Sequence, residues 1–283
     1  MGLFDSKPIV SFKQSNIVYR YELLMDSIYT IDKSITTSKV LIIWDLLVKQ
    51  INENGYIIRL QTLEHSLVNT DDSPMEDLFQ AIRAMMKMFS EIEVFVTLQG
   101  EVITVYNIAD IRERYIRAKK ELISFHGTSM RAEEVFNIPE TEIDNPLLLN
   151  KRIQAMEFFD VYFGALFGRS FPKRYILKKK NLMQNLDIEY DLNGHREVMP
   201  TDPHCSQYII KGDNYPISKK KLLELWGDAI FINKNEFEFK GLYNASYIVN
   251  DQYGFIKEAE LNIIEEFTPT FKLELKYTLK HIK

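Results

Sequence analysis

Residues 255–282 constrain the fold most. Phe271, Leu273, Leu275, Tyr277 and Leu279 alternate with Lys272, Glu274, Lys276, Thr278 and Lys280. That period of two belongs to a strand with one apolar and one wet face. The preceding run FIKEAELNIIEEF (255–267) is also strand-like, and Thr268-Pro269-Thr270 separates the two. The segment therefore predicts an antiparallel hairpin that lays one side on a core.

The same signature recurs upstream. VLIIWDLLVKQI (40–51) and YIIRLQTLEHSLV (56–68) flank Asn52-Glu53-Asn54-Gly55, and Asn-Gly between two apolar runs predicts a hairpin. Strand 40–51 is apolar on both faces, with Val40, Ile42, Trp44, Leu46 and Val48 on one and Leu41, Ile43 and Leu47 on the other. It is expected to be covered on both sides. A shorter hairpin is predicted around Gln99-Gly100-Glu101. Another is predicted where LDIEYDL (186–192) meets Asn193-Gly194, and a strand over SQYIIK (206–211).

Helical periodicity appears in four places. Asp71-Asp72-Ser73-Pro74 is a start signal, and Leu78, Ile82, Met85 and Phe89 then form one stripe in a methionine-rich segment. Ile108, Ile111, Tyr115, Ala118, Leu122 and Phe125 form a second stripe over 108–126, with Asn107 placed to cap it. Residues 147–168 predict one helix whose second half is apolar nearly all round. Ser218 is placed to cap a short helix over KKKLLELWG. Residues 127–146, with Pro139 and Pro146, predict a linker or long loop. The chain thus reads as one β-rich α+β domain over 1–283, with sub-lobes 1–126 and 147–283 as the natural subdivision. A 46% apolar content supplies the core, and the single Cys205 excludes an internal disulfide.

The run LQGEVITVYNIADIRERYIRAKKEL (98–122) resembles an element of Bacteroidetes proteins in which two strands around a Gly turn lead through an Asn into an amphipathic helix. SYIVNDQYGFIKEAELNIIEE (246–266) is similar to their closing hairpin. These proteins look like relatives of the lipoprotein-carrier architecture. The resemblance therefore implies a strongly curved antiparallel β-sheet half-wrapping amphipathic helices. It also suggests a companion of a bacterial secretion or toxin system. Carriers of that kind normally open with an export signal, and MGLFDSKPIVSF shows no basic region followed by a long apolar one. A cytoplasmic protein is expected, with Gly2 and Ser6 matching only the bare myristoylation pattern. The longest charge-poor run, about 153–168, is too short for a membrane helix.

Catalytic chemistry leaves little trace. His65, His126, His195, His204 and His281 form no HExxH. Asp202 and His204, with His195, are the one conceivable ligand group, in a loop that Pro200 and Pro203 mark as ordinary. Cys205 has only His195 or His204 as a base, and Asp160 sits among aromatics on 147–168. There is no GxSxG, GxxxxGK[ST] or GxGxxG. No catalytic residue, metal ligand or cofactor is therefore assigned.

Two clusters remain. Lys173, Arg174, Lys178, Lys179 and Lys180 stand out in a chain of net charge −5, either as a partner-binding patch or as a solvated strand edge. A nucleic-acid partner is not expected, because the net charge adds no long-range attraction to phosphate. Phe158, Phe159, Tyr162 and Phe163 line either a core or an apolar cavity. The sequence reads first as a non-enzymatic protein-binding protein: an immunity protein, adaptor or chaperone. The alternatives are a carrier of an apolar ligand or lipid in a sheet–helix cavity, and a hydrolase whose site forms only in the fold.

Overall fold

The computed structural model describes residues 9–70, 73–126, 140–226 and 237–282. The described residues are mostly antiparallel strand with few helices, a balance further toward sheet than the α+β reading implied. The strands are β1 (Ile17–Ile31), β2 (Ser34–Asn52), β3 (Gly55–Thr70), β4 (Glu91–Thr97), β5 (Val102–Val105), β6 (Lys173–Lys180), β7 (Asp187–Val198), β8 (Cys205–Asn214), β9 (Lys240–Asn250), β10 (Phe255–Thr268) and β11 (Phe271–Ile282). Their order is β5-β4-β3-β2-β1-β11-β10-β9-β8-β7-β6, so the sheet is open, with β5 and β6 at its ends. The helices are α1 (Ser73–Met86), α2 (Ile108–His126), the single turn α3 (Glu140–Ile143), α4 (Pro146–Gln154), α5 (Glu157–Tyr162) and α6 (Lys219–Trp226).

Both long hairpins form as their alternation predicts. Glu258 to Glu265 on β10 pair with Lys280 to Leu273 on β11, and the turn lies at Thr268–Thr270. Two compact units emerge. One comprises Val10–Leu23, Val40–Gly168 and His281–Ile282; the other Leu24–Lys39 and Arg169–Lys280, together with Ile9. The division crosses β1 and β2 and falls between residues 168 and 169. Residues 127–139 of the expected linker lie outside the described residues, as do Gly2 and Ser6. The rest of that linker is helical at α3, and Asn145 caps α4 by accepting from the N–H groups of Leu147 and Leu148.

In the first unit Trp44, Leu46, Ile58 and Val94 present one buried sheet face. Their period-two spacing sends every second side chain inward. The second face of β2 is not covered as expected: Leu41, Ile43 and Leu47 stay half-exposed beside Asp45, which takes both ends of the Arg20 guanidinium at 2.7 and 2.8 Å. A long aliphatic strand is thus tolerated with one half-wet face because a charged pair shares it. Asn107 does not cap α2 with its side chain. Its amide instead bridges β4, accepting from Glu93 N at 2.9 Å and donating to Glu91 O at 3.0 Å.

The predicted helix over 147–168 is broken. Met156 adopts extended backbone (ψ 145°) between α4 and α5, and α5 ends at Tyr162. The break ends α4 and starts a new short helix, α5, that carries Phe158, Phe159 and Tyr162 into the core. In the second unit Asn193-Gly194 is no turn. β7 runs straight through it, with Asn193 opposite Lys211 and Gly194 opposite Ile210. Glycine serves packing there, because a β-carbon at Gly194 would lie 2.4 Å from the Phe171 ring.

Candidate functional site

Phe158, Phe159, Tyr162 and Phe163 are brought together and wholly buried in the first unit. Phe158 meets Trp44 edge-on at 5.5 Å and stacks on Tyr162 at 5.1 Å, and Phe159 stacks on Phe163 at 6.0 Å. The Tyr21 and Tyr162 hydroxyls share a hydrogen bond of 3.0 Å, so the one polar pair in this group satisfies itself. Gly100 turns with φ 83° against the Phe163 side chain, where any β-carbon would lie 2.1 Å from the Phe163 Cβ and 2.3 Å from its ring. The four rings therefore pack on one another and on the sheet. Asp160 on the same helix is half-buried, and burial raises the Glu157 carboxyl above its ordinary value.

The second unit offers a different interior. Alternation along β7 to β10 turns one face of its sheet inward. Tyr190 and Leu192 come from β7, Tyr208 and Ile210 from β8, Tyr243, Ala245 and Tyr247 from β9, and Leu261 and Ile263 from β10. Tyr190 and Tyr243 lie 5.7 Å apart, ring to ring. At one end Phe267 stacks on Phe271 at 4.7 Å and meets Trp226 of α6 edge-on at 5.0 Å. Ser218 caps α6 as expected, accepting from Lys221 N at 3.3 Å.

One carboxylate belongs to that buried face. Glu265 has no solvent exposure, and its two oxygens accept the Leu182 N–H at 2.9 and 3.0 Å. Burial pushes its pKa up to about 7, against the opposing pull of the Leu182 N–H and of Lys179. Leu182 belongs to the tight loop after β6. Asn181 Oδ1 organises that loop by accepting from Asn185 N and Leu186 N, both at 2.9 Å. Asn181 is itself fully buried, and its amide nitrogen has no hydrogen-bond partner among the described residues. The sequence does not single out Glu265, one of two adjacent acids with Glu266. The signal was present: Glu265 shares its parity with Ile263 and Phe267, the apolar side of β10.

The basic residues occupy β6, one end of the strand order. Lys178 Nζ reaches Glu189 at 2.8 Å and Lys180 Nζ reaches Asp187 at 2.8 Å, while the Arg174 guanidinium grips both oxygens of Asp191. These pairs hold Arg174 and Lys178 in their charged forms and Asp187 and Asp191 below the usual carboxylate range. Lys179 lies 5.8 Å over the Tyr243 ring, and Lys173 is exposed. Beside this ladder, Arg174, Asp191, Lys211, Asp213 and Tyr215 line an open cleft of about 410 Å³.

The remaining candidates are engaged otherwise. Asp202 accepts from the Cys205 thiol at 3.0 Å, from Lys257 Nζ at 3.2 Å and from His204 N at 3.1 Å. Burial, then the Asp202 contact, pushes the Cys205 thiol up, the reverse of what a thiolate nucleophile needs. His195 lies 3.5 Å from Glu197 on a half-exposed stretch of β7. Among the described residues no group of three or more His, Cys, Asp or Glu side chains is arranged to hold a metal ion. Among the same residues no helix is long and apolar enough to cross a membrane.

No family model and no curated protein matches the sequence. Among solved structures, one of lipid–protein interactions in lipovitellin aligns with a TM-score of 0.48 at 9% identity. The alignment takes in 95% of this chain and 25% of that one, so the chain spans about a quarter of the protein it matches. An outer membrane channel from Pseudomonas putida F1 aligns over the whole of both chains at TM-score 0.19 and 8% identity. An outer membrane lipoprotein-sorting protein domain from Vibrio parahaemolyticus aligns over 93% of this chain and 83% of its own, at TM-score 0.17 and 8% identity. At such scores the likeness reaches neither function nor detailed fold.

Proposed function

We propose that this chain is a carrier that holds an apolar ligand with one polar end against the buried face of β7–β10. The observation that supports the reading is the composition of that face. Tyrosine and aliphatic side chains cover most of it, and Glu265 is the one fully buried carboxylate among the described residues. An apolar surface with a few convergent polar groups is the usual chemistry of a small-molecule site. The phenols and the Glu265 carboxyl, protonated over much of the range below about pH 7, are the groups that would meet the ligand's polar end. This reading ranks ahead of an immunity or adaptor role because Glu265 and the tyrosines of β7–β9 turn to the buried face of their strands.

A fluorescent polyene fatty acid titrated into the protein tests it. Saturable binding is expected in the wild type. Ala245→Trp, which fills the inner face of β9, should abolish it, and Leu242→Trp, on the outer face of the same strand, should leave it intact. Absent binding in the wild type, or equal binding in both variants, would refute the carrier reading.

A further inference from the structure

The outer edge of β6 has a definable chemistry. Tyr215 N donates to Glu189 O at 2.8 Å, so the main chain of Glu189 faces β8. In an antiparallel ladder the N–H and C=O of one residue point to the same side and successive residues alternate. Ile188, Tyr190, Leu192 and Gly194 therefore face β6, where their partners are Lys179, Leu177, Tyr175 and Lys173. The main-chain groups of Arg174, Ile176, Lys178 and Lys180 are left pointing away from β7. Among the described residues no strand lies beyond them.

Three of these four residues are cationic, and the fourth, Ile176, is 49% exposed. The other side of the same strand shows what such a sequence pairs with. Across the β6–β7 ladder Lys180 faces Asp187 and Lys178 faces Glu189, each pair closed by an ion pair. A second copy of β6 is the wrong partner. The central antiparallel registers of two copies would set Arg174 opposite Lys180, Arg174 opposite Lys178, or Lys178 opposite itself. Like charges directly opposed across a ladder are destabilising, and edge lysines are a known guard against self-association. The edge thus repels its own copy and matches a strand of opposite charge.

We propose that the outer edge of β6 is a docking site for an extended acidic segment of another protein, one that alternates carboxylates with apolar residues and adds to the sheet as a further strand. Main-chain hydrogen bonds to Arg174, Ile176, Lys178 and Lys180 would supply the ladder, and the cations the selectivity. The site is independent of any ligand held under the sheet, and either can fail without the other.

The probe is a synthetic peptide carrying the 187–192 sequence DIEYDL, the segment β6 already accepts on its inner side, measured by calorimetry against the whole protein. Binding is expected, and raising the salt to about 0.5 M should weaken it. A charge-reversed peptide with Lys at each acidic position should bind about tenfold more weakly or not at all. Ile176→Pro removes an outward N–H and none of the β6–β7 ladder bonds, and proline is tolerated on strand edges. That variant should lose about tenfold in affinity with its melting curve retained. If it does not fold, peptides N-methylated on alternate residues give the same information with the wild-type protein: one methylation pattern should abolish binding and the other spare it. Absent binding, equal binding of the reversed peptide, indifference to both backbone blocks, displacement by a single-stranded RNA oligonucleotide at lower concentration, or a β6-dependent dimer of the free protein would each overturn the proposal.

Discussion

The two ends of the sheet are finished in opposite ways. At β5, helix α4 seals the edge with neutral amides: Gln154 Oε1 accepts the Val102 N–H at 2.7 Å, and Asn150 Nδ2 donates to Ile103 O at 2.6 Å. At β6 the strand carries its own protection as Lys and Arg, balanced on the inner side by the acids of β7. An edge sealed by side-chain hydrogen bonds is closed to every partner. An edge guarded by charge is closed only to partners of the same sign. That difference is why the proposed docking edge is β6 rather than β5.

If the β5 seal depends on helices seated on the aromatic cluster, Phe158→Ala should have the largest effect. It removes a fully buried ring that touches Trp44 and Tyr162, at a cost of about 3–5 kcal/mol in denaturant unfolding. A loss well under that would mean the cluster is loosely packed.

The β6 end has its own tie, the Glu265 carboxyl holding the Leu182 N–H of the loop that follows the strand. The folded chain keeps this carboxyl protonated up to about 7, whereas the unfolded chain ionises it near 4.5. Its contribution to stability is therefore greatest at low pH, falls as pH rises from about 4.5 to about 7, and is level above that. Glu265→Gln should flatten this fall and raise stability near neutral to alkaline pH by on the order of 3 kcal/mol. Parallel pH profiles of the two proteins would show that Glu265 titrates normally.

Smaller effects separate the two edges directly. Gln154→Ala strands the Val102 N–H and should cost about 1–3 kcal/mol, with faster hydrogen exchange at Val102. Unchanged exchange there would mean that α4 does not seal β5. Lys178→Glu sets like charges opposite each other at Glu189. It should lower the melting temperature slightly, more so at low salt, and weaken binding of the acidic peptide far more than it weakens the fold. A fold loss larger than the binding loss would reduce β6 to a structural strand.

Period-two alternation made the strands legible, because each buried face is written into every second residue from Val40 to Val48 and, half-exposed Leu275 aside, from Phe271 to Leu279. What stayed hidden was set by distant contacts. Asn193-Gly194 carries a turn signature, but clearance for Phe171 decides its conformation. The break at Met156 could not be seen in a run whose residues are apolar in every direction. The β5 seal joins residues 47 and 52 apart in sequence, beyond the reach of any local pattern. The basic strand was legible as a cluster, but its division into inner pairs and an outer edge needed the register. The linker reading of 127–139 and the myristoylation pattern lie outside the described residues.

Native mass spectrometry of the protein, purified without detergent from the cells that make it, bears most directly on the carrier reading. A population heavier than the 33.3 kDa chain, releasing a small apolar molecule on activation and absent from Ala245→Trp, is the result expected. A bare chain in every charge state, with no adduct even after incubation with a lipid extract of the same cells, would contradict it.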